Sequence, residues 1–336
     1  MPTTPEPAHL VPAGVAERAV SVVAFGGGHG LHSSLSALRI LLEEVVLDEL
    51  TAVVTVADNG GSSGRLRGEF GVLPPGDLRM ALAALCGRDD WGVTWANVLQ
   101  HRFAGDGEMN GHNLGNLLIV GLWEQLGDHV AALDWVGRLL GAHGRVLPMA
   151  LVPMDIRAEV RGLDPADPDA LSTVRGQVEV ATTGGTIDSI ALEPADPPAA
   201  PEALQAIAEA DWVVIGPGSW FTSVLPHLMV PALRQALVST SARVLVVLNL
   251  AEQAGETQGF GPADHLAVLA EHAPDLRVDT VLADAAMEDL SALREMTDAM
   301  GARLVIDRIS MADGSPRHDP VLLAAAYQRV LIEAVR

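Results

Sequence analysis

The sequence predicts an α/β protein with a doubly wound, mostly parallel, Rossmann-like sheet and a small antiparallel insertion. Three apolar runs, each followed by a glycine-rich turn and then by a helical pattern, predict this class. The order strand, turn, helix and strand between residues 20 and 56 describes a βαβ unit, which implies a right-handed crossover and a parallel pair. Alternation of apolar and polar residues between 145 and 193 favours antiparallel hairpins instead.

The first half of the chain predicts the opening βαβ unit followed by helices. Residues 57–76 are rich in Gly, Ser and Pro, so we expect a long loop there, and loops of this length are usually functional. Asp77 is expected to act mainly as the N-cap of the next helix. The predicted elements are strands at Ser21–Phe25 and Leu50–Val56 and helices at Leu31–Glu44, Asp77–Leu85, Trp91–His101, Asn113–Leu126 and Val130–Gly141.

The second half predicts the insertion and then a return to alternating strands and helices. Val178 and Val180 on one side of Thr182–Gly185, and Ile187 and Ile190 on the other, indicate a hairpin region, which we interpret as an insertion or flap. The later elements are strands at Trp212–Ile215, Arg243–Leu248, Leu276–Leu282 and Arg303–Ile306, and a helix at Thr222–Leu237 that is bent or interrupted around Pro226 and Pro231.

For domain organisation, we expect residues 1–18, which are rich in Pro, Ala and Thr, to form a disordered arm. Residues 19–336 are expected to form a single domain that carries the antiparallel insertion at about 145–193. The arm has neither a basic start nor an apolar core, so no secretory signal is expected. No apolar run approaches the length of a membrane span, which argues against membrane insertion.

Composition narrows the chemistry. All 21 basic residues are Arg, which excludes a lysine Schiff base and the Lys of a Walker loop. The net charge of −22 repels nucleic acid and anionic lipid, so an anionic ligand needs local donors: backbone N–H groups, selected Arg side chains or a metal ion. The single Cys86 permits no intrachain disulfide, and this suits a cytoplasmic protein.

The first glycine turn, Gly26–Leu31, lets backbone approach a ligand where a Cβ would clash. It lacks the third glycine of the dinucleotide fingerprint, because Ser33 follows, and it also lacks the length of a phosphate loop. Two interpretations of this segment therefore remain open: a tight structural turn and a turn that binds a ligand. His29 within it is either a surface residue or a donor to phosphate.

The second loop is the stronger signal. Asp58 ends a strand, where a carboxylate can orient a ribose hydroxyl or bind Mg²⁺. Ser62 and Ser63 offer hydroxyls to an anion, and Arg65 adds positive charge. The alternative is a solvated surface loop.

Three further segments carry candidate residues. Asp77 and Arg79 follow a rigid Pro-Pro-Gly turn and can face the same pocket. Gly111–Asn116 precedes an apolar helix, whose free N–H groups attract anions; His112 there is either a proton donor or a residue of the capping region. Gly216–Ser219 repeats the pattern of a glycine turn at a third strand end.

The motifs, in their order along the chain, resemble those of the YvcK-type gluconeogenesis factors over roughly residues 20–330. That family belongs to the CofD-like superfamily, whose namesake transfers a phospholactyl group from a nucleotide-activated donor to the deazaflavin Fo. The motifs that carry the resemblance are Gly26–Leu31, Thr55–Arg67, Pro74–Arg79, Gly111–Asn116, Gly216–Ser219 with Thr222, and Gln253–Thr257 with Asp264-His265.

The resemblance implies a cytoplasmic protein that binds UDP-sugars such as UDP-N-acetylglucosamine and is associated with cell shape and cell-wall metabolism during gluconeogenic growth. No reaction is assigned to that branch. Two residues depart from its pattern: His29 replaces a Thr, and Asn59 replaces the second Asp of an Asp-Asp pair. The loss of a carboxylate weakens the case for a Mg²⁺-dependent transferase.

Our first hypothesis is a regulatory binding protein for a UDP-sugar that acts through a protein partner, with no certain cofactor. The rival is a phospholactate transferase in which Asp58 binds Mg²⁺, and a scaffold without a nucleotide is the third alternative. Homo-oligomerisation is left open. The expected ligand contacts are Gly27, Gly28, His29, Gly30, Leu31, Asp58, Asn59, Gly61, Ser62, Ser63, Arg65, Asp77, Arg79, His112, Asn113, Asn116, Gly216, Gly218, Ser219, Thr222 and Asn249.

Overall fold

The computed structural model describes residues 20–253 and 255–333, so the arm predicted at 1–18 lies outside the described residues. These residues form two sheets. The strands are β1 (Val20–Gly26), β2 (Leu47–Val54), β3 (Arg145–Pro148), β4 (Asp155–Arg161), β5 (Ser172–Arg175), β6 (Thr186–Glu193), β7 (Trp212–Ile215), β8 (Arg243–Val247), β9 (Thr280–Asp284) and β10 (Arg303–Asp307).

Helices connect nearly all of the strands. A π-helical turn at Trp220–Val224 leads directly into the helix that begins at Leu225. The helices are α1 (Gly28–Glu43), α2 (Gly61–Phe70), α3 (Gly76–Leu85), α4 (Asp90–Gln100), α5 (Leu114–Leu126), α6 (His129–Leu140), α7 (Gln177–Ala181), α8 (Pro201–Glu209), α9 (Leu225–Met229), α10 (Pro231–Ser239), α11 (Pro262–His272), α12 (Leu290–Met300) and α13 (Pro320–Glu333).

The main sheet has seven parallel strands in the order β10-β9-β8-β7-β1-β2-β3. In the register, Val23 of β1 lies between Thr51 of β2 and Val213 of β7. The chain leaves β1 towards β2 and β3 and later returns on the other side through β7, so the topological switch point lies between β1 and β7. The predicted doubly wound parallel sheet is confirmed.

Two helical layers cover the sheet. On one face α1 packs against α3 and α13, and α3 and α6 contact β3. On the other face α8 packs against α10, and the contacts continue from α10 through α9 and α11 to α12. Every residue of β7 and β9 is buried, as expected for central parallel strands covered on both faces. Within the described part of the chain, no helix combines the length and the apolar character that a membrane span requires.

The expectation of an unstructured loop at residues 57–76 is wrong, because α2 lies inside it. Glycine lowers helix propensity, which hides this helix in the sequence. Tertiary contacts compensate: Leu66 is buried, and Gly64 packs so closely on Asn59 that a Cβ would lie 2.5 Å from the Asn59 carbonyl carbon. The helix ends at Gly71, whose left-handed φ of 66° forms the C-cap.

The expected capping role of Asp77 is also wrong. Helix α3 begins at Gly76, with Pro75 at the N-cap position, so Asp77 lies within the first turn and is buried there. The Pro74-Pro75 pair fixes the entry of the chain, which makes a side-chain cap unnecessary. Asp77 is thereby turned towards the ends of the strands.

The small antiparallel sheet has the order β5-β4-β6, which confirms the predicted antiparallel element. It begins at Asp155 rather than near 145, because Arg145–Pro148 is the edge strand β3 of the parallel sheet. The segment with Val178 and Val180 forms the short helix α7 instead of a strand. Two valines two residues apart do not distinguish a strand from a single helical turn, and only Val180 is buried.

Candidate functional site

The site lies where β1, β2 and β7 end, at the switch point of the sheet. The first and third glycine turns touch there: a Cβ on Gly30 would lie 2.5 Å from the Cα of Gly218. Gly27 faces α3 and the end of β2, because its Cβ would lie 2.5 Å from Thr55 Cγ2 and 2.6 Å from Asp77 Oδ2. The structure thus brings together strand-end segments that are distant in the sequence.

Two glycines keep backbone exposed at this edge. Gly28 and Gly61 have φ values of 57° and 48°, and no atom lies within 4 Å of a Cβ built on either. Each is the first residue of a helix, α1 or α2. Their conformation favours glycine, and the open space leaves room for a ligand against the helix N-termini.

Ser62 connects α2 to the start of α5. Its Oγ lies 3.1 Å from His112 Nδ1, accepts the backbone N–H of Asn113 at 3.2 Å, and accepts Asn116 Nδ2 at 3.1 Å. All four residues are buried. The predicted group from the second loop and from Gly111–Asn116 therefore forms one hydrogen-bonded cluster.

Arg79 is a buried cation without an ion pair. Only 6% of it is exposed, its Nε donates to Asn116 Oδ1 at 2.9 Å, and its Nη1 donates to Gln100 Oε1. Within residues 20–253 and 255–333 no carboxylate lies close enough to pair with it. Burial, with the charge of Arg102, lowers the pKa of Arg79 to about 10 against the opposing charges of Asp77 and Asp58, so it stays protonated at neutral pH. A desolvated cation satisfied only by neutral amides is a strong attractor for an anion.

This guanidinium lines a cavity of about 300 Å³ beside the first turn. The lining contains two arginines and two histidines but no carboxylate. The cavity is therefore basic, although the chain as a whole has a net charge of −22. The lining residues are His29, His32, Arg79, Met80, Gln100, Arg102 and Asn113. Three of them, His29, Arg79 and Asn113, are among the residues expected from the sequence.

Sequence reasoning missed His32, Met80, Gln100 and Arg102. His32 lies one helical turn after His29, so the three-residue spacing contained a signal for it. Gln100 ends α4 and Arg102 follows it, and no local pattern indicates that this end of the helix lies at the cavity. Burial, with the neighbouring charge of His29, lowers the pKa of His32, which favours its neutral form.

Asp58 and Asp77 form a pair of carboxylates next to the glycine turns. Asp58 Oδ1 accepts the backbone N–H of Gly60 at 2.8 Å, and its Oδ2 would lie 3.0 Å from a Cβ on Gly76. Burial and the charge of Asp58 raise the pKa of Asp77 to about 7, against the opposing effects of the Gly28 backbone and Arg79. Asp77 Oδ2 is buried and has no hydrogen-bond partner among residues 20–253 and 255–333.

The carboxylates of Asp58 and Asp77 are suited to bind Mg²⁺, the ion that the alternative transferase function would use. Mg²⁺ binds through one or two carboxylates, with water and substrate phosphates as its other ligands. Asp58 and Asp77 would hold the ion, and the unpartnered Oδ2 of Asp77 is the atom it would satisfy. No group of three or more His, Cys, Asp or Glu side chains among the described residues could hold a metal by itself. Asp77 would be the second carboxylate in such a site, so the site would not require a carboxylate at position 59.

His112 lies just before α5. Burial and the nearby charge of Arg65 lower its pKa, although Glu69 acts in the opposite direction. The ring contacts Ser62 and does not line the cavity. This arrangement makes His112 a partner of the second loop.

The third turn is fixed by its neighbours. Asn249 accepts the backbone N–H of Gly218 at 2.9 Å and donates to its carbonyl at 2.8 Å. Gln253 Nε2 donates to Ser219 Oγ at 3.3 Å, and Thr222 donates to the buried carboxylate of Glu256. Asn249 and Thr222 therefore shape the turn rather than present free groups. Gly216 lies against β8, where a Cβ would be 2.9 Å from the Val247 carbonyl.

Four other predicted residues are engaged away from the cavity. Asn59 is held by α7, and Arg65 donates to the carbonyls of Glu108 and Asn110. Leu31 is buried in the core. Ser63 is buried and packs against Gly76, close to Asp58.

The fold and the site define a doubly wound α/β protein of the Rossmann-like class, with a cationic cavity beside its first glycine turn. A sequence profile of the family described as "2-phospho-L-lactate transferase CofD" matches residues 22–315. The chain belongs to this CofD family.

Relatives within the family carry a different description. The "Putative gluconeogenesis factor" of Mycobacterium tuberculosis (strain H37Rv) is 52% identical over 313 residues, which cover 92% of this chain and 90% of that protein. The "Gluconeogenesis factor" of Listeria innocua is 34% identical, with 92% and 95% coverage. A crystal structure of a UPF0052 family protein from Bacillus halodurans superposes with a TM-score of 0.81 at 32% identity, covering 93% of this chain and 99% of the other. The resemblance read from the motifs is confirmed.

Proposed function

We propose that this protein binds a UDP-sugar, of the UDP-N-acetylglucosamine kind, and acts as a regulatory binding protein. The observation that carries the proposal is the buried, unpaired guanidinium of Arg79 in a cavity beside the open turn at Gly28. A diphosphate supplies the negative charge that this guanidinium lacks, and exposed helix N-termini at Gly28 and Gly61 add backbone donors.

The size of the cavity supports a ligand that is only partly enclosed. At about 300 Å³ the cavity lies at the lower end of the range of small-molecule pockets. It accommodates the charged part of a nucleotide sugar, while the remainder extends over the ends of β1, β2 and β7. Asp58, whose Oδ1 accepts the Gly60 amide, would orient sugar hydroxyls.

One observation favours a second candidate function, a CofD-type phospholactate transferase. The carboxylates of Asp58 and Asp77 offer a site for Mg²⁺, and the matching family profile is described by that activity. When bound, Mg²⁺ would supply neutralisation of phosphate charge. Against this candidate, the relatives are described as gluconeogenesis factors.

A binding protein of this kind reports the supply of a cell-wall precursor to a protein partner. The gluconeogenesis factors that the chain is similar to motivate this role. The regulatory effect is accordingly exerted through contact with the protein partner, during growth on gluconeogenic carbon sources.

Calorimetric titration of the purified protein with UDP-N-acetylglucosamine, GDP and Fo, each with and without Mg²⁺, tests the proposal. We expect saturable binding of the UDP-sugar and no product. Turnover of a nucleotide-activated phospholactate donor with Fo would establish the transferase instead. If no nucleotide binds or raises the melting temperature, both candidates fail.

A further inference from the structure

Helix α2, which carries Ser62 and Ser63, is tied to the antiparallel insertion at its N-terminal end. Asn59 Nδ2 donates to Glu179 Oε2 at 2.8 Å, and Asn59 Oδ1 accepts the backbone N–H of Val178 at 3.0 Å. Both polar atoms of the amide are therefore engaged by α7. An Asp at position 59 would place a carboxylate against that of Glu179.

A salt bridge holds the C-terminal half of α2 against the insertion. Arg67 Nη2 lies 2.6 Å from Asp155 Oδ1 on β4, and both side chains are mostly buried, with 18% and 21% exposed. Arg175 of β5 pairs with the other oxygen of Asp155 at 3.1 Å. Because one carboxylate joins α2 to two strands of the small sheet, a shift of that sheet transmits to the helix.

Close backbone approaches show that these contacts are built into the fold. Gly60 lies so near α7 that a Cβ would be 2.7 Å from Val178 Cγ2, and a Cβ on Gly176 would clash with both Asn59 and Glu179. On the far side, Gly255 meets the carbonyl of Ala181 with no room for a Cβ. Helix α7 thus bridges the loop after β2 and the loop after β8.

We propose that the insertion positions α2 for ligand binding, and that Asn59 and Glu179 are positioning residues rather than ligand contacts. The inference rests on the proposed UDP-sugar function. The Asn59–Glu179 pair fixes the turn before Gly61, where the helix presents its first N–H groups. Loss of the pair frees this end of α2 and the first N–H groups that the helix presents.

A rescue experiment tests the pair. Asn59→Asp sets two carboxylates against each other, whereas Asn59→Asp with Glu179→Gln restores one donor and one acceptor in reversed order. The contact is solvent-exposed, with Glu179 on the surface, so a like-charge pair there has a modest effect. We therefore expect UDP-N-acetylglucosamine to bind Asn59→Asp roughly twofold to fivefold more weakly, and the double variant to recover most of that loss.

Two controls separate positioning from charge and from metal. Titrations run in EDTA, so that the new carboxylate cannot act through Mg²⁺. Asn59→Asp with Glu159→Gln changes the net charge equally, but Glu159 contacts Thr173 in the insertion and does not touch Asn59. This variant should remain as weak as Asn59→Asp alone.

Hydrogen exchange of the ligand-free variants provides a readout that does not depend on binding. Amides of α2 and α7 should exchange faster in Asn59→Asp and return towards wild-type rates in the double variant. Wild-type affinity in Asn59→Asp, or a double variant as weak as the single one, would overturn the proposal. If the wild-type protein binds no UDP-sugar, the proposed function fails, and unchanged exchange in Asn59→Asp would independently show that α7 does not hold α2.

Discussion

The Nε of Arg79 donates to Asn116 Oδ1 across 2.9 Å, and this buried contact joins α3 to α5 beside the glycine turns. Asn116 in turn donates to Ser62, so the guanidinium is oriented through the same cluster that holds α2. An amide orients a guanidinium without neutralising it. The cation is therefore preorganised for an anionic ligand, and the cost of its desolvation is met when the ligand binds.

We expect Arg79→Gln to weaken UDP-N-acetylglucosamine binding by roughly tenfold to a hundredfold, since charge-assisted hydrogen bonds contribute about 1.5–3 kcal/mol. Calorimetry measures the affinity. Arg138→Gln is the matched control, because Arg138 lies over the ring of Trp135 on α6, outside the cavity. Equal affinities of the two variants would remove Arg79 from the site.

Gly28→Val should abolish stabilisation by the ligand and leave a folded protein. The added side chain would fill the open space beside the first turn, and a β-branched residue at a φ of 57° strains the backbone. Gly301→Val carries a similar strain at a φ of 68°, also with open space, at the end of the remote helix α12. Thermal shift with and without UDP-N-acetylglucosamine distinguishes them: a ligand response in Gly28→Val equal to that in Gly301→Val would make the first turn merely structural.

Asp58→Ala should weaken sugar or Mg²⁺ binding more than Asp264→Ala does. Asp58 lies at the strand ends next to Asp77, whereas Asp264 accepts the backbone N–H of Gly261 at 2.7 Å and caps α11. The second variant is expected to lower the melting temperature without changing affinity, since loss of a cap costs about 1 kcal/mol. Similar losses of affinity in both variants would contradict the assignment.

The parallel sheet could be predicted because its strands are nearly continuous apolar runs that end at glycines. Val213 and Val214, for example, are buried on both faces, and such residues leave little ambiguity. Helix α2 could not be predicted, because Gly61 and Gly64 lower its intrinsic propensity and its stability comes from contacts with Asn59 and Asp155. Long-range contacts of this kind have no local signature.

The candidate site could be predicted in part for the same reason. Gly28 and Asp58 lie at strand ends, so the order of elements placed them at one edge of the sheet. The sequence favours a cap as the main role of Asp77, beside a place at the pocket, and compares Asn59 with the second Asp of an Asp-Asp pair. Spacing along the chain cannot show that a five-residue helix from the insertion takes the amide of Asn59 and leaves Asp77 as the partner of Asp58.

Asp77→Asn should stabilise the protein increasingly as pH rises. The folded-state pKa of Asp77 is raised from 3.8 to about 7, so the wild-type protein loses stability as pH increases between these values, while the amide of the variant titrates in neither state. Each unit of that shift corresponds to about 1.4 kcal/mol. The difference in free energy of unfolding between variant and wild type should therefore grow from near pH 4 to near pH 7 and stay constant above it, as measured by urea denaturation across that range. Mg²⁺ should raise the stability of the wild-type protein above about pH 7 and leave Asp77→Asn unaffected. A difference that is independent of pH would show that Asp77 is ionised throughout.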